Sequence, residues 1–95
     1  MNVYMDDIRN GPDQCVVGWE NWVIVRSVTN VQQLLAERLV QDMSLDHDMG
    51  QELDGTDLLN WMEEGDHWPT GTITVHSANP VGAARMRTIL KKNGK

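Results

Sequence analysis

Acidic, imidazole and hydroxyl side chains follow three short apolar stretches of this chain. In chain order these groups are Asp6-Asp7, Asp46-His47-Asp48, and His76-Ser77 with Asn79 nearby. Carboxylates are the ligands that Mg²⁺ prefers in proteins, imidazole suits Zn²⁺ and Fe²⁺, and either group can carry a proton in catalysis. The residue types and their positions therefore indicate a divalent metal site or a phosphate-binding site.

Four short apolar runs predict the strands that would position these groups. They span residues 2–5, 22–26, 41–45 and 72–76, and each candidate polar group follows the end of one of them. Residues 8–21 contain Gly11, Pro12 and Gly18 and show no clear period, so they are predicted to form a long loop.

Apolar residues at helical spacing predict three helices. The first begins at Thr29 with Gln32 completing a capping box, and the second spans residues 56–64 and ends at Gly65. The third begins at Asn79-Pro80, because asparagine caps well and proline suits the first turn. The predicted buried faces are Val31, Leu34, Leu35 and Leu39; then Leu58, Leu59, Trp61 and Met62; then Ala83, Met86, Ile89 and Leu90.

The order β-β-α-β-α-β-α predicts a small three-layer α/β fold with a mostly parallel sheet of about four strands. At 95 residues the chain has room for one hydrophobic core, so a single domain over residues 1–95 is predicted. The carboxyl ends of parallel strands meet at one edge, where open α/β sheets bind ligands. We therefore expect the polar groups to share one crevice.

Charge is distributed unevenly along the chain, whose net charge is −6. Residues 1–66 hold all fourteen acidic residues and three arginines, whereas residues 67–95 hold five basic residues and no acidic one. The overall acidity argues against general DNA binding, and no apolar run approaches the ~20 residues of a membrane span. The basic segment either faces an anionic ligand or suits the macrodipole of the last helix. A cytoplasmic protein is predicted.

Each candidate residue also has a structural alternative. Aspartates cap turns well, so two of the four could be turn residues and not metal ligands. His47 and His76 could bind a metal, act as a general acid or base, or simply hydrogen-bond to the backbone. The hydroxyl of Ser77 could bind a phosphoryl oxygen. These alternatives stay open on the residues alone.

The motifs resemble those of the receiver domains of response regulators, which place a double aspartate after strand one and an aspartate after strand three. The resemblance implies that Asp6 and Asp7 bind a metal and that Asp46 matches the phospho-accepting aspartate. It also implies that Asp48 lies where a backbone carbonyl binds Mg²⁺ and that Ser77 contacts the phosphoryl group. The receiver's fifth strand and its lysine have no counterpart, so a receiver-like (flavodoxin-like) sheet lacking that strand is expected.

The chain more closely resembles the cyclic-phosphate processing receiver domains. The segments that carry this resemblance span nearly the whole chain and are Asp6–Arg9, Ser44–Gly50, Gly55–Leu59 and His76–Gly82, with Met86 in the last helix. That family is thought to process cyclic phosphates, such as cyclic nucleotides or cyclic phosphate ends. A small phosphorylated ligand or cyclic nucleotide is therefore the expected partner.

Two functions follow. The first is a metal-dependent phosphoesterase that uses Mg²⁺ or Mn²⁺, with Zn²⁺ as an alternative. Its expected metal ligands are Asp6, Asp7, Asp46 and Asp48. Its expected catalytic residues are Asp46, His47 and His76, and its expected phosphate ligands are Ser77, Asn79, Arg9 and Arg85. The second is a non-catalytic receiver-like module that binds a nucleotide or a protein partner. An open strand edge would also allow a homodimer.

Overall fold

A computed structural model describes residues 1–7 and 22–95. The predicted loop at 8–21, with its candidate phosphate ligand Arg9, lies outside the described residues. Four strands form one parallel sheet in the order β2-β1-β3-β4, with β1 at Asn2–Met5, β2 at Trp22–Val25, β3 at Met43–Leu45 and β4 at Ile73–Val75. Three helices complete the fold, with α1 at Val28–Ala36, α2 at Gly55–Gly65 and α3 at Pro80–Lys92. The predicted α/β receiver-like fold is confirmed.

The register of the three neighbouring strands fixes which residues meet at the carboxyl edge. Met5 pairs with Leu45, and Leu45 pairs with Val75. The residue that follows each of these is polar: Asp6 after β1, Asp46 after β3 and His76 after β4. The sheet therefore places these three side by side at the edge where α/β folds bind ligands.

The core lies between the sheet and the helices. The central strands are buried along most of their length, with Val3, Met5, Met43 and Leu45 at 1% exposure or less. The helices cover the sheet with their apolar faces, and full burial of each such side chain contributes about 1.5–3 kcal/mol. The fully buried side chains of α2 are Leu58, Leu59 and Met62, whereas Trp61 is half-buried. This packed core gives the polar edge a rigid base.

The N-cap of helix α1 lies two residues earlier than the sequence predicts. Its N-cap is Ser27, whose hydroxyl accepts from the Asn30 N–H at 3.2 Å, so the prediction of Thr29 as the cap was wrong. A serine and a threonine two residues apart both cap well, and burial of Val28 decides between them. The helix ends at Ala36. Leu39 is 44% exposed, so the prediction that it is buried was wrong.

The ends of the other two helices test the capping predictions. Gly65 was predicted to stop α2 in a left-handed conformation, but it is the last helical residue, and Asp66 is left-handed with φ 55°. Aspartate visits this conformation more readily than most residues do, because its short polar side chain can bond locally. The start of α3 is as predicted, with Asn79 capping and Pro80 in the first turn. No helix in the described ranges is long and apolar enough to cross a bilayer.

Candidate functional site

Two carboxylates and one imidazole form a compact cluster at the carboxyl edge of the sheet. Asp6, Asp46 and His76 each offer one ligand atom, and these atoms all lie within 4.8 Å of one another. Each residue follows a different strand, so the backbone of the sheet sets their spacing. The prediction had assigned Asp6 and Asp46 to a metal and His76 to catalysis, and the structure brings all three together.

Asp6 is the most deeply placed member of the cluster. Its side chain is fully buried, and its Oδ2 lies 2.9 Å from Nε2 of His76. Its backbone carbonyl accepts from a guanidinium nitrogen of Arg26 at 3.1 Å, and its N–H donates to Val25. The end of β2 thus holds both backbone polar groups of Asp6, which fixes the backbone that carries the carboxylate.

Asp46 is 9% exposed and shares the site with Asp6. Burial, followed by the nearby carboxylate of Asp6, raises the pKa of Asp46 above its usual value. The backbone N–H of His47 donates to Asp46 Oδ1 at 2.8 Å, and this bond and one with Ser77 act in the opposite direction. A cation bound here would favour the charged form of Asp46, which burial and the Asp6 carboxylate disfavour.

The imidazole of His76 is oriented by two residues to which the sequence analysis gave no role. Nδ1 lies 2.7 Å from the hydroxyl of Ser44, and the ring stacks on Tyr4 with centroids 4.2 Å apart. Tyr4 and Ser44 are paired in the sheet, and each lies two residues before the aspartate that follows its strand. Ser44 could have been noticed as a polar residue between the buried side chains of Met43 and Leu45.

The second predicted catalytic histidine has different neighbours. His47 Nδ1 lies 2.7 Å from Asp48 Oδ1, and its Nε2 lies 3.5 Å from Asp54 Oδ2. Its ring also packs against the first turn of α3, where a Cβ at Gly82 would approach the ring to 2.4 Å. His47 therefore links the loop after β3 to the starts of α2 and α3, and both ring nitrogens face carboxylates outside the compact cluster.

Asp48 and Asn79 join this linkage. The Asp48 side chain is 63% exposed and accepts from Asn79 Nδ2 at 3.3 Å as well as bonding to His47. These bonds lower the pKa of Asp48, with the bond to His47 as the larger cause. Asn79 caps α3 through its Oδ1, which accepts from the Gly82 N–H at 3.0 Å. Neither side chain is part of the compact cluster.

The remaining candidate site residues in the described part of the chain lie in different places relative to the compact cluster. Asp7 is half-buried, and its Oδ2 would lie 3.1 Å from a Cβ at Gly50, so its carboxylate is close to the loop after β3. Ser77 is half-buried beside Asp46, and its hydroxyl accepts from the Asn79 N–H at 3.1 Å. Arg85 is exposed on α3. Of these, Ser77 is the residue that directly contacts the cluster.

A close backbone contact sets the position of α2 against the site. The N–H of Gly55 donates to the carbonyl of His47 at 2.9 Å, and a Cβ there would lie 2.3 Å from the carbonyl oxygen of Asp46. The cap of this helix is a complete capping box, in which Asp54 and Asp57 bond to one another's backbone N–H groups. Only glycine allows the helix to begin this close to Asp46.

The donor set suits a divalent metal ion. Carboxylate oxygens with one imidazole nitrogen are ligands for Mn²⁺, Fe²⁺ or Zn²⁺, whereas Mg²⁺ is more often bound by oxygen alone. Burial and, second, the Asp6 carboxylate raise the pKa of Asp46, and a bound cation would favour its charged form. The three residues therefore fit a metal site, and two further polar groups, Ser77 and Asp7, lie beside it.

Comparison with known proteins gives one clear result. A family model described as the cyclic-phosphate processing receiver domain matches residues 1–92. Neither the comparison with curated proteins nor the comparison with solved structures gave a match.

Proposed function

The chain belongs to the family of cyclic-phosphate processing receiver domains, and on this premise we propose that it is a metal-dependent phosphoesterase that acts on cyclic phosphates. The observation that carries the proposal is the cluster of Asp6, Asp46 and His76, whose ligand atoms lie within 4.8 Å of one another at the carboxyl edge. Cyclic nucleotides and cyclic phosphate ends are the substrate classes that we propose.

The acidic residues would hold the metal in this reaction. Asp6 and Asp46 face one another across neighbouring strand ends and would each provide a carboxylate oxygen. Asp7 lies next in the chain and is the third acidic residue that we propose near the ion. A bound divalent metal would polarise a phosphoryl oxygen and lower the pKa of a coordinated water.

His76 would move the proton in this reaction. Opening a cyclic phosphate leaves an alkoxide oxygen that needs a proton, and imidazole is suited to supply one near neutral pH. Nδ1 lies 2.7 Å from the Ser44 hydroxyl, so the Nε2–H of a protonated His76, which faces Asp6 at 2.9 Å, is the proton that would pass to the leaving oxygen. His47, whose nitrogens face Asp48 and Asp54, would instead hold the loop that carries Asp46.

The phosphoryl group would be held from the end of β4. Ser77 bonds to Asp46 in this structure, and its hydroxyl would turn from Asp46 to donate to a phosphoryl oxygen while still accepting from the Asn79 N–H. Arg85 and Arg9 are the cations that we propose for the remaining phosphate charge, because guanidinium groups make two-point contacts with phosphate.

The test is hydrolysis of a panel of 2′,3′- and 3′,5′-cyclic nucleotides, each with Mg²⁺, Mn²⁺ or Zn²⁺. Asp46→Asn removes one charged ligand but keeps the size of the side chain, so we expect it to abolish turnover while the fold is kept. Asp66→Asn is the matched control, because Asp66 is exposed beyond the end of α2 and asparagine also tolerates its left-handed backbone.

Each outcome decides between the two functions. Turnover that is lost in Asp46→Asn and kept in Asp66→Asn would support the phosphoesterase and identify its metal. Turnover that persists in Asp46→Asn would remove this residue from the mechanism. Binding of a cyclic nucleotide without turnover, with any of the metals, would favour a non-catalytic receiver-like module.

A further inference from the structure

The outer edge of β4 carries backbone groups that no strand of the described sheet pairs with. β4 lies at one end of the sheet. The carbonyl of Thr72 accepts from Met43, and the N–H of His76 donates to Leu45, so both face β3. Because strand residues alternate in the side to which their N–H and C=O groups point, those of Ile73 and Val75 face outward. Such an edge is a template for another strand.

A groove of about 620 Å³ runs beside this edge, between β4 and α3. Its apolar wall consists of Ile73, Val75 and Leu90, and the two strand residues are packed against the core only on one side. β4 is three residues long, so strand pairing alone would provide few hydrogen bonds. Side-chain contacts in the groove would therefore supply most of the affinity for any added strand.

The charge of the groove is positive. Arg87, Lys91 and Lys95 line it, and no acidic side chain of the described residues does so. Arg87 Nη2 donates to the carbonyl of Val75 at 3.4 Å, which places a guanidinium directly over the strand edge. Lys92, on another face of the same helix, is instead paired with Glu63 at 3.0 Å. The groove thus concentrates cations on a chain whose net charge is −6.

We propose that this β4 groove, defined as Ile73, Val75, Arg87, Leu90, Lys91 and Lys95, binds an extended acidic segment of a partner protein. The segment adds as a strand beside β4. Side chains of a strand alternate between two faces, so a partner whose residues on the face toward α3 include both acidic and apolar ones places carboxylates near the cations and an apolar group against Leu90. The proposal does not rest on the phosphoesterase activity.

Two other occupants match the groove less well. A second copy joined edge to edge would bring two sets of three cations together, and juxtaposed like charges are unfavourable. A single-stranded nucleic acid would match the charge, but such ligands depend on aromatic side chains on which bases stack. No aromatic side chain lines this groove among the described residues. An acidic peptide matches the charge, the apolar wall and the open backbone groups together.

The test is a titration of the ¹⁵N-labelled protein with two capped heptapeptides. One carries glutamate, valine and glutamate at its second, fourth and sixth positions, which share one strand face, with threonine elsewhere, and the other has lysine in place of glutamate. We expect the acidic peptide alone to shift the amide signals of Ile73 and Val75 and to slow their hydrogen exchange, because these N–H groups would pair with it. Binding should weaken as salt is raised, since the exposed charge pairs are screened.

Two charge reversals on the same helix make the test specific. Arg87→Glu should weaken the acidic peptide about tenfold, which corresponds to ~1.4 kcal/mol. Lys92→Glu reverses a charge on the same helix at an exposed position that does not line the groove, and it should leave the affinity within about twofold. Lys91→Glu provides a second reversal inside the groove if Arg87→Glu disturbs the fold.

Several results would overturn the proposal. One is the absence of any change at Ile73 and Val75 with the acidic peptide, and another is equal binding of the two peptides. Displacement of the acidic peptide by an octathymidylate at the same residues would assign the groove to nucleic acid. Self-association through these residues, seen as concentration-dependent broadening of the same signals, would assign it to a second copy.

Discussion

Two histidines that follow neighbouring strands differ in which acidic groups surround them. His76 Nε2 faces the buried carboxylate of Asp6, whereas His47 lies between the exposed Asp48 and Asp54. The residue type is the same, so the backbone position alone decides the role that each imidazole can play. We therefore assign the proton transfer to His76 and a structural link to His47.

Replacement of His76 by glutamine separates a proton carrier from a metal ligand. We expect kcat to fall by roughly 10²–10⁴-fold, the usual contribution of general acid catalysis, while the metal Kd changes only a few-fold. Titration of the metal by calorimetry, beside the pH profile of kcat/KM, provides the measurement. His67→Gln is the control, because His67 stacks on Trp61 after the end of α2. A large loss of metal affinity in His76→Gln would make this residue a ligand instead.

The raised pKa of Asp46 predicts how the metal-free protein responds to pH. Burial and Asp6 place the folded pKa above 3.8, so the unfolded chain ionises first as the pH rises. The carboxylate therefore contributes nothing at lower pH, and it destabilises the fold progressively as the pH rises from about 3.8 through the folded pKa. Each pKa unit of the shift corresponds to about 1.4 kcal/mol at higher pH.

Asp46→Asn should remove this penalty. In a chelator, urea unfolding should show Asp46→Asn gaining stability over the original chain as the pH is raised from 3 towards neutral, roughly the range in which the penalty develops. Equal stability differences at every pH would show that the fold does not raise the pKa of Asp46.

At the scale of elements, the loop after β3 contacts α3 through the ring of His47, which packs against Gly82. A Cβ at Gly82 would approach the ring of His47 to 2.4 Å, although alanine is normally about 1 kcal/mol better than glycine in a helix. We expect Gly82→Ala to destabilise the protein by about 1–3 kcal/mol, because the ring must move. Urea denaturation provides the measurement.

A double-mutant cycle isolates that contact. In a His47→Ala background the ring is gone, and Gly82→Ala should become neutral or stabilising because only its helix propensity is left. The same cost in both backgrounds would mean that the contact does not position the loop.

Local sequence signals predicted the elements better than their ends. β1 spans the predicted residues, and the Asn79-Pro80 start of α3 was found because a cap and a proline act within one turn. The start of α1 was missed because Ser27 and Thr29 are equally good caps, and only burial of Val28 separates them. Asp66 was missed because glycine is the usual left-handed residue.

At the scale of the whole molecule, only part of the candidate site could be predicted from the sequence. The order of strands and helices indicated that Asp6, Asp46 and His76 would share an edge, and the register places them side by side. The pairing of His47 with Asp48 and Asp54, and the orientation of His76 by Ser44, depend on side-chain directions within a loop and across strands. No periodic pattern in a single sequence encodes those directions.

Metal binding should stabilise the whole domain. A metal present at one hundred times its Kd adds about 2.7 kcal/mol to the free energy of unfolding if it binds only the folded chain. For a chain of this size that corresponds to a rise in Tm of roughly 10–20 °C. We expect thermal melts to show this rise with the metal that supports activity, to lose it in Asp46→Asn and to keep it in Asp66→Asn. No rise with Mg²⁺, Mn²⁺ or Zn²⁺ would contradict the metal site.

Asp6 and His76 are in contact in the site although they are far apart in the sequence, and this separation matters for folding. These partners are 70 residues apart, and they meet only because β4 pairs with β3 in one register. A slip of β4 by one residue would move His76 along the edge by about 3.3 Å and turn its side chain to the other face of the sheet. The contact between His76 and Asp6 therefore forms only in the correct strand alignment, and it distinguishes that alignment from the one shifted by a single residue.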